Sequence, residues 1–163
     1  MGELQDKSGM AKLNIKDFQE LNTWAGQELP EGDWVVVTQE MINDFAKATQ
    51  DFQWIHVDVE KSEKYSPFKK PVAHGFLSLS LLSKMLGDLV KVNSVKMGVN
   101  YGLNKVRFPS PVLVDSRVRL LSGIQGIEAY GDNGVKVLWN CTVAIENSDK
   151  PACVAEFISL MFE

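Results

Sequence analysis

Asp51 and His56 are the side chains of this sequence best suited to proton transfer. Only two histidines, His56 and His74, occur in the 163 residues. A carboxylate and an imidazole that converge on one water supply a base and an acid near neutral pH. The five-residue spacing of Asp51 and His56 does not stack them on one helix face, although an irregular loop can bring them together. Two alternatives remain open, in which Asp51 is a turn or cap residue and His56 a core histidine.

Gly75 is a candidate donor to a substrate oxygen. It lies in Pro71-Val-Ala-His-Gly75, at the predicted start of a long apolar helix. The first N–H groups of a helix have no intrahelical acceptor, and a residue without a side chain lets a carbonyl approach closely. Tight helix packing is the alternative explanation for this glycine. A metal site built from His56, Asp58 and His74 supplies only three ligands, so we predict no bound metal.

The elements that would position these residues include three predicted helices. The longest spans residues 72–90, is apolar on most faces and has Pro71 at its first position. Helical periodicity also predicts helices over residues 15–24 and, with Thr38 as the N-cap, up to Thr49. We predict an irregular loop over residues 50–72, and a loop of that length is typical of a functional segment.

From residue 96 onward the hydrophobic period changes from helical to two, which indicates strands. The alternation is most regular over residues 135–146, and turn sequences at 131–134 and 147–151 join this strand to its neighbours. The predicted strands cover residues 34–38, one or two segments between 96 and 108, and residues 117–125, 135–146 and 153–162. We therefore expect one α+β domain over residues 1–163, a curved antiparallel sheet wrapped around a central helix, with a frayed start at about residues 1–12.

Composition excludes several classes of protein. The net charge of −4 opposes a nucleic-acid partner. Cys141 and Cys153 lack metal-binding spacing, and we expect both thiols to be reduced. No apolar stretch is long enough to span a membrane, and the polar N-terminus does not resemble a secretory signal, so we expect a cytoplasmic protein.

Several spaced motifs match one enzyme family. Asp51-Phe-Gln-Trp-Ile-His56-Val-Asp58, with Ser66-Pro67-Phe68 and Ala73-His74-Gly75-Phe76, resembles the hydratase signature of MaoC-like, (R)-specific enoyl-CoA hydratases of the hot-dog fold. The stretch over residues 100–112 is similar to the subgroup that includes nodulation protein N homologues. The resemblance therefore covers the chain from about residue 34 to residue 120.

The resemblance implies a hydro-lyase that adds water to a 2-enoyl thioester or removes it from a 3-hydroxyacyl thioester. Asp51 and His56 would hold the water, with Asp51 accepting a proton and His56 supplying one. The N–H of Gly75 would polarise the thioester carbonyl, and Gln53 and Asp58 are weaker supporting candidates. The substrate would be an acyl-CoA or acyl-carrier thioester, and no metal or redox cofactor is implied.

The loop departs from the family pattern at two places. Gln50 stands where the family has glycine before the catalytic aspartate, and a left-handed Gln50 would carry strain of about 1 kcal/mol. The second departure lies further along the loop, where the family often has asparagine and proline and this chain has Gln53 and Trp54. The Gln50 departure leaves a non-catalytic acyl-thioester binding protein open as an alternative. A hot-dog thioesterase is a second alternative, because that reaction also needs an activated water and an oxyanion hole.

The expected partners are the thioester and a second copy of the chain. An open sheet has edge strands that proteins normally pair or protect, and the resemblance implies at least a homodimer. Lys105 and Arg107 are candidates to contact the phosphates of coenzyme A, or are simply solvated surface residues.

Overall fold

The computed structural model describes residues 10–163, so most of the segment predicted to be frayed lies outside the described residues. Twelve helices and strands follow one another along this part of the chain. In order they are β1 (Leu13–Ile15), α1 (Phe18–Asn22), β2 (Val35–Val36), α2 (Gln39–Thr49), α3 (Trp54–Val57), α4 (Val59–Tyr65), α5 (Gly75–Leu89), β3 (Val90–Val92), β4 (Met97–Arg107), β5 (Arg117–Tyr130), β6 (Gly134–Ile145) and β7 (Cys153–Phe162).

Five strands form the main sheet in the order β2-β5-β6-β7-β4, and every neighbouring pair is antiparallel. The predicted hairpin is confirmed, since Tyr130 pairs with Gly134 across a turn in which Gly131 has φ +64°. That positive φ suits glycine, which has no Cβ to clash. Along β6 the predicted alternation places one set of side chains in the core, namely Val135, Val137, Trp139, Cys141 and Val143.

Helix α5 covers the inner face of this sheet. Its buried residues are Leu77, Ser78, Leu82, Met85, Leu86 and Leu89, and each large apolar side chain contributes about 1.5–3 kcal/mol when fully buried. Below the helix the indole Nε1–H of Trp139 donates to the Ser159 hydroxyl over 2.8 Å. The predicted curved antiparallel sheet around a central helix is confirmed.

The start of the central helix differs from the prediction. Helix α5 begins at Gly75 with His74 as its N-cap, so Pro71 does not occupy the first helical position. The preceding residues are extended because their N–H groups donate to carbonyls of other segments of the chain. The Val72 N–H donates to the Ile55 carbonyl over 3.0 Å, and the Ala73 N–H donates to the Val112 carbonyl over 2.8 Å.

The predicted helix over residues 15–24 is also wrong at its start. Ile15 is fully buried in β1, where it pairs in parallel with Val92 of β3, and strand pairing overrides the helical spacing there. Helix α1 begins only after Asp17, whose side chain accepts from the Glu20 N–H. The segment predicted as a loop contains α3 and α4, while β5 runs five residues past its predicted end at Gln125.

Cys141 and Cys153 are buried and free, as expected for reduced thiols. Burial raises the pKa of each thiol to about 11. No helix within residues 10–163 is both long and apolar enough to cross a membrane.

Candidate functional site

The two histidines lie face to face beside the start of α5. The rings of His56 and His74 stack with their centroids 3.8 Å apart and an interplanar angle of 25°. Both side chains are buried, with 7% of His56 and 3% of His74 exposed. Phe45 of α2 contacts the His74 ring at a centroid distance of 5.0 Å.

Hydrogen bonds to backbone carbonyls fix the tautomer of each neutral ring. His56 Nδ1 lies 2.6 Å from the Val72 oxygen, and His74 Nε2 lies 3.0 Å from the Asp51 backbone oxygen. A carbonyl oxygen only accepts, so each of these nitrogens carries the hydrogen. The lone pair of neutral His56 is therefore on Nε2, and that of His74 is on Nδ1. This His74 nitrogen has no hydrogen-bond partner among residues 10–163.

The surroundings of His56 favour the neutral ring. Burial lowers the pKa of His56 below its ordinary value of 6.5, while the hydrogen bond to the Val72 carbonyl acts in the opposite direction. The neighbouring His74 also lowers this pKa, and the Asp51 carboxylate raises it. Desolvation is the largest of these effects, so His56 is an uncharged base at neutral pH.

Asp51 is exposed and follows Gln50, the C-cap residue of α2. Its Oδ1 accepts from the Gln53 N–H over 3.3 Å. Ligand atoms of Asp51, His56 and His74 all lie within 4.8 Å of one another. The carboxylate is therefore placed beside the two imidazoles, and one small molecule can contact both kinds of group.

Gln50, the residue before Asp51, adopts the left-handed conformation with φ 63° and ψ 20°. Glycine reaches this region freely, whereas a residue with a Cβ pays about 1–2 kcal/mol. The Gln50 amide donates to the Lys47 carbonyl over 2.7 Å, which offsets part of that cost.

Gly75 lies beneath an aromatic ring. A Cβ added at Gly75 would lie 3.1 Å from Cγ of Phe108, and Phe76 contacts the same Phe108 ring at a centroid distance of 5.9 Å. The close approach of Phe108 therefore supports the alternative explanation that Gly75 serves packing. The Gly75 N–H, as the first of α5, has no intrahelical acceptor.

Asp58 and Gln53 are the N-cap residues of two short helices. Asp58 caps α4, with Oδ1 accepting from the Lys61 N–H over 2.9 Å. Gln53 is the exposed N-cap residue of α3, and its side chain makes no capping bond. Asp58 is also absent from the group of ligand atoms around the histidines. In that group Asp51 occupies the position that the metal alternative in the sequence analysis assigned to Asp58.

The two basic candidates for phosphate contact lie on β4. Lys105 pairs with Glu156 over 3.1 Å, and Arg107 Nη1 donates to the Val106 carbonyl over 2.7 Å. Both line an open surface cavity of ≈ 320 Å³. Their side chains are exposed but already have partners.

The ring geometry bears on the metal alternative. An ion bound by two imidazoles lies near the plane of each ring, about 2.0–2.1 Å from each nitrogen. The ring planes of His56 and His74 are nearly parallel, and the ring centroids are 3.8 Å apart. The two planes therefore intersect too far from the ring nitrogens for one ion to lie in both. This arrangement does not suit an ion shared by the two rings.

Sequence reasoning missed four contributors to the site. His74 was considered only as a metal ligand or a signature residue. Gln39, Val72 and Phe108 were not singled out, although the Gln39 amide donates to the His56 carbonyl over 2.8 Å. These roles depend on contacts between distant segments, and residue type and spacing carry no signal for them.

Residues 20–143 match the family model described as MaoC like domain. The chain belongs to the MaoC-like family. It is 49% identical over 144 residues to a protein named 3-hydroxyacyl-thioester dehydratase Z of Mycobacterium tuberculosis, covering 88% of this chain and 95% of that protein. It is 43% identical over 137 residues to nodulation protein N of Rhizobium leguminosarum bv. viciae, covering 83% of this chain and 85% of the relative.

Solved structures share this architecture. A protein described as a monoamine oxidase regulatory protein of Archaeoglobus superposes with a TM-score of 0.74 at 25% identity, covering 94% of this chain and 99% of that one. The unliganded R-hydratase of Pseudomonas aeruginosa superposes with a TM-score of 0.70 at 21% identity, covering 91% and 87%. The hot-dog fold and the nodulation protein N subgroup predicted for this MaoC-like chain are confirmed. The names dehydratase and hydratase denote hydro-lyases, the enzyme class that the sequence resemblance implies.

Replacing Gln50 in this MaoC-like domain separates backbone strain from side-chain bonding. We expect Gln50→Gly to raise the free energy of unfolding by at most about 1 kcal/mol, because glycine removes the Cβ strain but loses the side-chain bond to Lys47 and more chain entropy on folding. Gln50→Ala keeps the strain and loses the bond to Lys47, so it should be less stable than the natural chain. Urea unfolding midpoints measure both effects, and an alanine variant more stable than the glycine variant contradicts this account.

Proposed function

We propose that the protein catalyses the reversible hydration of 2-enoyl thioesters to 3-hydroxyacyl thioesters with (R) configuration at C3. The observation that carries this proposal is the placement of the Asp51 carboxylate beside a buried His56 whose lone pair is on Nε2. One water held by both groups can lose a proton to a base while its oxygen attacks carbon. The family and the named dehydratase relative support the same chemistry.

In the hydration direction, His56 Nε2 accepts a proton from the water as the water oxygen bonds to C3. The electron pair of the C2–C3 double bond moves toward the thioester carbonyl and forms an enolate. The protonated His56 then returns its Nε2 proton to C2, which completes the addition of one water molecule. Dehydration is the same sequence in reverse.

This assignment of roles differs from the one implied by the sequence resemblance, in which Asp51 accepts a proton from the water and His56 supplies one. Neutral His56 uses its single ring hydrogen in the bond to Val72, so Nε2 has no proton to give. Asp51 instead holds the second hydrogen of the water and stabilises the imidazolium that forms, since its charge raises the pKa of His56.

The enolate oxygen needs a fixed hydrogen-bond donor. The Gly75 N–H lies at the positive end of α5, a helix of 15 residues. Donors already oriented toward a developing negative charge stabilise it without reorganisation, and one such donor contributes about 100- to 1,000-fold in rate. The substrate is proposed to be a coenzyme A thioester, and none of these steps uses a metal or redox cofactor.

We also propose that two copies of the chain associate through β4. This strand is the 11-residue edge of the main sheet, and its exposed apolar side chains include Met97, Val99, Tyr101 and Leu103. A long apolar edge with unpaired backbone groups invites pairing with another strand. A second β4 would cover the edge of each sheet.

The first experiment follows the loss of enoyl absorbance when crotonyl-CoA is mixed with the protein. We expect Asp51→Asn and His56→Gln to lower the hydration rate by about 100- to 10,000-fold, the usual contribution of a proton-transfer group. Asp58→Asn is the matched control, because asparagine also caps α4 and leaves the proposed pair intact. Thiol release without hydration would instead identify a thioesterase, and the absence of both reactions across several chain lengths would leave a binding protein.

The pH dependence of turnover tests the assigned protonation state. Active His56 is neutral and its pKa is lowered, so kcat/KM should hold near pH 6.5 and fall about tenfold per pH unit only at lower pH. The measurement is kcat/KM between about pH 4.5 and 8, with His56→Gln showing no such decline. A rate that increases as His56 becomes protonated would favour the opposite assignment.

A paired substitution separates the two explanations for Gly75. Gly75→Ala should destabilise the fold by about 1–3 kcal/mol, because its Cβ presses on Phe108. Adding Phe108→Leu should restore stability but leave kcat about tenfold below that of Phe108→Leu alone, since the methyl group still obstructs the thioester carbonyl. Recovery of activity together with stability would mean that Gly75 serves packing only.

Sedimentation analysis tests the association through β4. We expect a particle of twice the 18.2 kDa chain mass, or a multiple of that dimer. Val99→Lys should shift it toward the monomer, because a charge on an edge strand opposes pairing. Tyr65→Lys is the control at an exposed aromatic residue of α4. A natural chain that sediments as a monomer overturns this part of the proposal.

A further inference from the structure

His74 is the most deeply buried titratable group beside the proposed catalytic pair, yet the proposed mechanism gives it no step. Only 3% of the residue is exposed, and its Nδ1 has no hydrogen-bond partner among the described residues. Burying a polar nitrogen without a partner costs free energy that an apolar side chain would avoid. Burial alone would thus favour an apolar residue at this position, so the other contacts of the His74 ring must account for the histidine.

The His74 ring contacts both members of the pair in different ways. Its face stacks on His56, and its Nε2–H donates to the backbone carbonyl of Asp51, a residue 23 positions earlier in the chain. Phe45 lies against the same ring. One side chain at the N-cap of α5 thus contacts the chain that follows α2 and the buried histidine of α3.

The bond to Asp51 holds a part of the chain that is weakly tied otherwise. Asp51 is exposed and follows the left-handed Gln50, and within residues 10–163 its carboxylate bonds only inside its own turn, to the Gln53 N–H. The His74 donor fixes the Asp51 peptide from the buried side. The stacking contact limits tilting of the His56 ring, which the bond to Val72 also restrains.

We infer that His74 is a positioning residue, which holds the Asp51 main chain and the His56 ring plane in the arrangement that the proposed hydration requires. This role rests on the proposed function of the site. Reacting groups displaced by about 1 Å lose on the order of 100-fold in rate, so a restraint on both groups has a measurable effect on turnover.

Two amides of different length provide the test. In His74→Gln the side-chain NH₂ can occupy the position of ring Nε2 and still donate to the Asp51 carbonyl. In His74→Asn the NH₂ corresponds to Nδ1 and falls short of that carbonyl. Both variants lose the ring, so they share the loss of stacking and differ in the bond to Asp51.

Steady-state kinetics with crotonyl-CoA should separate the two variants. We expect kcat of His74→Gln to stay within about 10-fold of the natural enzyme and kcat of His74→Asn to fall about 100-fold or more, with KM changed less than about threefold in both. Urea unfolding midpoints of the two variants should be similar. Equal kcat values in the two amides, or a kcat difference that follows a difference in unfolding midpoint, would overturn the positioning role.

A third variant covers the case in which His74→Asn does not fold. His74→Phe keeps an aromatic ring against His56 and Phe45 but has no donor, so it should fold and lose kcat about 100-fold relative to His74→Gln. A folded phenylalanine variant with full activity would overturn the inference.

The pH profile gives a readout that a purely structural role would not move. The groups identified around His56 are Asp51 and His74, and His74 lowers the pKa of His56. The acid decline of kcat/KM should therefore move to higher pH in His74→Gln, and an unshifted decline contradicts this contact. An inactive natural enzyme would refute the proposed function itself, whereas an active enzyme with unaffected variants would refute only the role of His74.

Discussion

The hydrogen bond from His56 Nδ1 to the Val72 carbonyl is the interaction on which the site depends. It joins the helical segment after α2 to the extended residues before α5, and it determines which nitrogen of neutral His56 has the lone pair. Val72 can accept this bond because neighbouring segments hold its own stretch of chain. Its N–H donates to the Ile55 carbonyl, and the Val114 N–H donates to the Pro71 carbonyl. The chemistry proposed for the site thus begins with a constraint on the backbone.

The sheet was predictable because its determinants are local. The strict alternation in β6 and the glycines of the β5–β6 turn identify a hairpin without any knowledge of distant contacts. Helix starts were less predictable, since they depend on where backbone N–H groups find partners. Ile15 has helical spacing relative to Phe18 but pairs with Val92, and Pro71 precedes a segment that bonds to two other parts of the chain.

The residues of the site also differ in how far the sequence could predict them. Asp51 and His56 could be proposed from residue type and motif, and the left-handed Gln50 could be anticipated from the missing family glycine. The stacking of His74 on His56 and the contact of Phe108 with Gly75 could not, because each joins residues at least 18 positions apart. The tautomer of His56 was equally hidden, since it depends on a carbonyl 16 residues away. Role assignments that depend on a lone pair therefore required the three-dimensional structure.

The buried, neutral His56 also ties the stability of the fold to acidity. In the unfolded chain this histidine titrates near its ordinary pKa of 6.5, whereas in the folded chain its pKa is lower. Between these two values the unfolded state binds a proton that the folded state excludes, so acidification stabilises the unfolded chain relative to the folded one. The penalty is absent above pH 6.5, grows as the pH falls and becomes constant below the folded pKa. The residue proposed to move protons in the reaction thereby contributes to acid-induced unfolding of the whole domain.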